Sequence, residues 1–159
     1  AEEFALTVER IRTRMPAASI TTDVLVGFPG ESDEEFQETY RLCQALPLSD
    51  MHVFPYSVRP GTSAAHFQDK VSPGTKGERA GLLLGLAQHH AQDFRRRLMG
   101  QARPVLWEDG ELFNGRWRWS GLTDSYARVY TQDSRPLGST ITDTRLMEER
   151  DGRLWGQVI

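Results

Sequence analysis

The sequence predicts an α/β unit with parallel strands, followed by a small antiparallel all-β barrel. Three observations carry this. Helix-period and strand-type segments alternate through the first half, the pattern of strands joined by helical crossovers. The tail holds short β-rich runs punctuated by glycines 110, 115, 121, 138 and 152. At 159 residues, 38% of them apolar, the chain is long enough for one domain of ordinary size or two small ones.

The elements follow in order. Residues 4–15 put Phe4, Val8, Ile11 and Met15 on one helical stripe, stopped by Pro16. Residues 19–27, SITTDVLVG, are apolar, β-branched and of strand length; the turn FPGE comes next. Ser32 and Glu35 have capping-box spacing and open a helix through about Ala45, with Phe36, Tyr40 and Cys43 inward. Residues 51–56, MHVFPY, read as a second strand, ahead of the loop SVRPGTSA. Residues 66–77 contain Pro73 and Gly74 and read as a connecting loop. Residues 78–99 read as a helix with Leu83, Ala87, Ala91, Phe94 and Leu98 on its stripe and Gly100 beyond its end. In the tail, PVLWE, YARVYT, STITD and LWGQVI read as strands. If RWRW, residues 116–119, is also a strand, its arginines share one face and its tryptophans pack inside from the other.

A helix crossover makes the first two strands parallel neighbours, so GFPGE and YSVRPGT lie at the same carboxyl edge. Ile20, Thr22, Val24 and Val26 share one strand face and should pack on helices. Thr21, Asp23, Leu25 and Gly27 share the other. Two readings of Asp23 stand: it lines a cavity, or it is a satisfied structural carboxylate. On the second strand Met51 and Val53 should face the helices, with His52, Phe54 and Tyr56 on the opposite side. Phe54 and Tyr56 read equally as cavity wall or as aromatic core, and His52 as a hydrogen-bonded core histidine. Two strands cannot close a barrel, so further strands are expected upstream, and exposed edges imply self-association.

Charge and composition exclude several classes. The net charge of −3 is a poor signature for a free-standing nucleic-acid binder, although all cations except Lys70 and Lys76 are arginines. Residues 98–159 hold eight arginines and nine acids, a net of −1. Cys43 is the single cysteine and reads as buried and inert. The adjacent His89 and His90 point in different directions and read as surface or packing residues. With no run of eighteen apolar residues and no signal-peptide order, no membrane association and a cytoplasmic location are expected. A chain that opens on Ala1 inside a helical stripe reads as an excised piece.

The segments TTDVLVGFPGESDEEF and HVFPYSVRPGTSAA resemble late-barrel signatures of the radical-SAM tRNA methylthiotransferases. RPVLWE, SGLTDSYARVY and LGSTI, in the same order and spacing, resemble the TRAM domain of that family. The resemblance covers nearly the whole chain. Among the MiaB, RimO and MtaB branches it is nearest the MtaB type, through HVFPYS and GLTDSYARVY.

It implies a partial (βα) barrel with parallel strands over residues 1–97, the carboxy-terminal part of a radical-SAM barrel. An OB-like TRAM β-barrel that binds RNA would then span residues 98–159. It also implies a parent transferase that uses S-adenosylmethionine and 4Fe–4S iron–sulfur clusters in tRNA processing. That parent would methylthiolate an anticodon-adjacent adenosine, threonylcarbamoyl-adenosine in the MtaB-like branch, with the tRNA anticodon stem–loop as partner. The family's CxxxCxxC motif is absent here, so the piece is expected to bind no cluster and to catalyse nothing alone.

Carried over residue by residue, the resemblance places Asp23, Leu25 and Gly27 at the S-adenosylmethionine pocket, where Gly27 also reads as part of a tight turn. Phe54 and Tyr56 join them as candidates facing cofactor or base. Arg59, beside Pro60 and Gly61, is a candidate for a phosphate or the substrate carboxylate, with a solvated arginine as the alternative. For RNA the candidates are Arg103, Arg116, Arg118, Tyr126 and Arg128, the last two read as neighbours on one strand. The run Arg95–Arg97 adds to a basic patch. Two other functions compete: a non-enzymatic RNA-binding or adaptor module, and a complete, unrelated α/β enzyme. The second lacks a nucleophile elbow, a phosphate loop and metal-ligand spacing.

Overall fold

The computed structural model describes residues 1–159, which form two compact units, Ala1–Ala91 and Gln92–Ile159. In the first, α1 (Glu2–Arg14) leads to β1 (Thr21–Val26), α2 (Asp33–Ala45) and β2 (Asp50–Pro55). A 3-10 turn at Ser63–His66 and the helix α3 (Pro73–Leu98) follow, the end of α3 belonging to the second unit. β1 and β2 pair in parallel, with Asp23 beside His52 and Leu25 beside Phe54. Their crossover helix α2 begins with the full capping box, Ser32 accepting from the Glu35 N–H and Glu35 accepting from the Ser32 N–H.

Strand parity divides the two faces as the alternation predicts. Ile20, Val24, Val26 and Met51 are buried with Phe36, Leu83 and Cys43 in one core. Asp23, Leu25 and Phe54 face outward on the other side and are exposed. His52 is exposed there too, which corrects its reading as a core histidine: the face that carries it is open. The α1 stripe also differs. Only Val8 is buried, while Phe4, Ile11 and Met15 remain exposed. Burial pushes the Cys43 thiol pKa up, and His90 Nε2 lies 3.0 Å from the Cys43 carbonyl oxygen.

The expected loop over residues 66–77 is shorter than predicted, because α3 starts at Pro73. Proline at the first helical position loses nothing by lacking an N–H. Ser72 caps the turn by accepting from the Thr75 N–H at 3.1 Å.

In the second unit five strands close into a barrel in the order β3–β4–β5–β7–β6. They are β3 (Ala102–Phe113), β4 (Arg116–Thr123), β5 (Arg128–Gln132), β6 (Ile141–Arg150) and β7 (Arg153–Val158). The barrel is not wholly antiparallel as expected: β5 and β7 pair in parallel. The reason is parity. A ring of five strands cannot alternate direction all the way round, so one neighbouring pair must run the same way. Two-residue hairpin loops, Asn114–Gly115 and Asp151–Gly152, join β3 to β4 and β6 to β7 with both residues at positive φ. The core holds Val105, Trp107, Val129, Leu146 and Leu154, all fully buried.

No helix is long and apolar enough to cross a membrane.

Candidate functional site

The loops after β1 and β2 border one concavity of about 610 Å³ on the open face of the two-stranded sheet. Asp23, Leu25, Phe54, Tyr56 and Arg59 all line it, with Phe28 and Thr62. Five of the six residues singled out for this part of the chain are thus brought together by register: β1 and β2 advance side by side, and their loops leave at the same edge. Phe28 packs edge-on against Tyr56 at 5.3 Å and against Phe67 at 6.0 Å. The Tyr56 hydroxyl is buried with no hydrogen-bond partner.

Gly27 lies behind this wall. Its φ is +71°, and a Cβ there would stand 2.1 Å from Lys76 Cγ. Lys76 reaches over it to donate from Nζ to the Tyr56 carbonyl at 3.1 Å. Gly27→Ala should therefore cost about 1–3 kcal/mol, from left-handed strain and from displacing Lys76. Thermal unfolding of the variant checks this, and an unshifted midpoint would show that Lys76 yields freely.

A largely buried ion pair between Arg79 and Glu31 holds the same loop in place. The Gly27 N–H donates to Glu31 Oε2 at 2.6 Å. Arg79, 5% exposed, donates to that oxygen at 2.5 Å and to Asp33 Oδ1 at 2.7 Å, and its guanidinium sits 5.3 Å from the Phe36 ring centre. Lys76, Arg79 and Glu31 were not singled out from the sequence; 48 residues separate Arg79 from Glu31, and no local pattern links them.

On the barrel the arginine candidates are mostly neutralised. Arg103 pairs with Asp124 at 2.8 Å and Arg128 with Glu108 at 2.7 Å. Arg118 pairs with Glu111 and lies 4.8 Å over the Phe113 ring. Arg116 is exposed beside Trp117, in a groove that also includes Gln132, Asp133 and Ser134. Asp133 is hydrogen-bonded by Arg135, which holds its carboxyl below the usual range. That stabilisation is present at neutral pH and should fade as pH falls below about 4, a decline that Asp133→Asn should flatten in acid-unfolding curves.

Trp119 packs inside the barrel but Trp117 does not: it is 42% exposed, stacked at 5.5 Å on Trp119. Trp117 pairs with Leu112 where the β3–β4 hairpin projects beyond the core. Arg95 of the basic run pairs with Glu149 at 2.7 Å.

Tyr126 belongs to the turn before β5, not to the strand with Arg128. It is 81% exposed at φ +60°. A non-glycine residue pays conformational strain there, and an exposed ring returns little packing. Tyr126→Gly should stabilise the protein by about 1 kcal/mol, read from urea unfolding. A loss of stability would mean that the ring packs in solution.

The fold brings a second aromatic pair together on the barrel. Tyr130 of β5 and Trp155 of β7 point outward from adjacent strands, 5.7 Å apart. Arg153 lies over Tyr130 at 5.1 Å and Arg150 over Trp155 at 4.6 Å. The alternation YARVYT and LWGQVI carried the signal that both rings leave the core, but not that the strands are neighbours.

No protein-family model matches the chain. Among curated proteins it is similar to threonylcarbamoyladenosine tRNA methylthiotransferase MtaB of Bacillus subtilis, 31% identical over 92% of this chain and 33% of the relative. It is similar to tRNA-2-methylthio-N(6)-dimethylallyladenosine synthase of Pelobacter propionicus, 34% identical over 99% of this chain and 36% of the relative. The synthase of that name from Clavibacter michiganensis is 43% identical over 66% of this chain and 20% of the relative. The chain thus spans between about a fifth and about a third of the length of these relatives. Relatives of both names match in the longer cases through nearly the whole chain; it belongs to the tRNA methylthiotransferase family and corresponds to a carboxy-terminal portion of its members.

Proposed function

We propose that this chain supplies one wall of the catalytic cavity of a cytoplasmic tRNA methylthiotransferase, together with its RNA-binding TRAM barrel. Residues 1–97 form the late part of the radical-SAM barrel, and residues 98–159 the RNA-binding module. One observation carries the reading: parallel β1 and β2 gather Asp23, Leu25, Phe54, Tyr56 and Arg59 around a single concavity at their carboxyl edge. That is the edge at which α/β sheets bind ligands.

The residues fit an adenosyl group. Leu25 and Phe54 offer apolar walls, Asp23 an acceptor for ribose hydroxyls, and the buried Tyr56 hydroxyl an unmet hydrogen bond. Bound there, S-adenosylmethionine would supply the radical that abstracts hydrogen from the adenosine. Arg59 at the rim holds an anionic group of the RNA or of the modified base.

The residues do not fit a 4Fe–4S cluster. Such clusters take several thiolates, and Cys43 is one buried thiol facing the core. The cluster ligands of the parent protein therefore lie outside these residues, and the chain alone is inactive. Its two-stranded sheet keeps unpaired edges, through which the isolated chain self-associates.

The test uses the full-length protein with reconstituted clusters. Incubated with tRNA lacking the modification, it should yield a methylthio-adenosine by nucleoside mass spectrometry. Asp23→Asn and Tyr56→Phe should raise the S-adenosylmethionine concentration needed. An unchanged nucleoside profile with loaded, reducible clusters rejects the assignment.

A further inference from the structure

We propose that the outer face of β4, β5 and β7 binds single-stranded RNA by stacking bases on Tyr130 and Trp155, with Arg150 and Arg153 taking the phosphates. The proposal rests on the reading of the barrel as the RNA-binding module, and it names the surface.

Alternation along the strands comes first. Val129 and Leu154 fill the core, so Tyr130 and Trp155, one residue further on in the parallel register, must point out. The barrel interior is complete without them. Two large rings side by side on the outer wall, each half-buried, form an aromatic surface that the barrel core does not use. Neither ring belongs to the barrel core or to the side chains packed against it. Arginines cover them instead: Arg153 above Tyr130 and Arg150 above Trp155, both carried by the β6–β7 hairpin.

Rings capped by guanidiniums match the chemistry of an unpaired nucleic-acid strand: a base takes the arginine's place on each ring, and the freed guanidinium edge donates to a phosphate. The location agrees. In five-stranded barrels of this kind, oligonucleotides cross the second and third strands and the loops joining the first to the second and the fourth to the fifth. Here those are β4, β5 and the two positive-φ hairpins.

Charge decides which force dominates. Arg118, Arg128 and Arg150 each have a carboxylate within 4.0 Å, in Glu111, Glu108 and Glu148; Arg153 has none. The face therefore carries little net charge. An acidic peptide or an anionic lipid surface would find few free cations on it. Stacking, which needs no net charge, must supply most of the affinity.

The whole chain is titrated with a labelled single-stranded oligoribonucleotide of about twelve nucleotides, within the span of such barrels, and with a duplex of equal length. Tyr130→Leu and Trp155→Leu should each weaken single-strand binding about 5- to 100-fold. Tyr130→Phe and Trp155→Phe should retain it, and added RNA should quench less tryptophan emission in Trp155→Phe than in the parent chain. Arg153→Gln should lower the slope of log affinity against log salt by about 0.7. If the leucine variants unfold, the quenching still decides: tryptophan emission quenched as much in Trp155→Phe as in the parent overturns the proposal.

Leucine variants that fold and bind as tightly as the parent overturn this proposal and leave the RNA-binding reading intact. Duplex preferred over single strand also overturns it. No binding of either RNA by the parent chain overturns both.

Discussion

Trp107→Ala is expected to cost about 3–5 kcal/mol and to leave the barrel largely unfolded on mild heating. Trp107 is fully buried at the centre of the ring, and its indole N–H donates to Thr142 Oγ1 at 2.8 Å. It also precedes the β-bulge in the β3–β4 ladder. Removing the ring opens a large cavity and takes a donor from Thr142 in one step. All four tryptophans, Trp107, Trp117, Trp119 and Trp155, lie in the second unit, so the three that remain report its unfolding in urea without interference from the first. A loss below about 1 kcal/mol would mean that the barrel closes around the missing ring, contrary to a packed core.

The second large effect is in the other unit. Arg79→Met should destabilise it by about 3–5 kcal/mol, because Glu31 is left charged and only 12% exposed without its partner. The contact with Asp33 adds little, since that carboxylate is 85% exposed. Adding Glu31→Gln removes the stranded charge while keeping an acceptor for the Gly27 N–H, so the double variant should recover much of the loss. Cys43 is the only thiol and is buried in this unit, so its labelling rate measures opening there. Labelling as slow in Arg79→Met as in the parent would show that the guanidinium is dispensable to the loop it braces.

Local chemistry was readable in the sequence, and long-range partnership was not. The β-branched alternation of SITTDVLVG set which residues face the helices and which face the concavity, and Ser32 with Glu35 marked the start of α2. Pro73 predicts a loop as readily as a helix start, because proline fits both. Alternation along RWRW predicts an interior Trp117, but it holds only while the strand stays over a core, and the hairpin runs past it. Arg103, Arg118 and Arg128 looked like free cations until the fold brought Asp124, Glu111 and Glu108 to them. The Tyr130–Trp155 pair needed the parallel ladder, which only a count of strands around a closed ring implies.

That ladder is short. β5 and β7 share two residue pairs, Val129 with Leu154 and Tyr130 with Trp155, whereas β3 and β6 share five. The ring is therefore fastened at one narrow seam, where hydrogen exchange should begin and where the cylinder would unzip first. The outward rings straddle that seam, so a guest lying across them would act as a clasp. Occupancy and resistance to opening would then be two readings of one equilibrium.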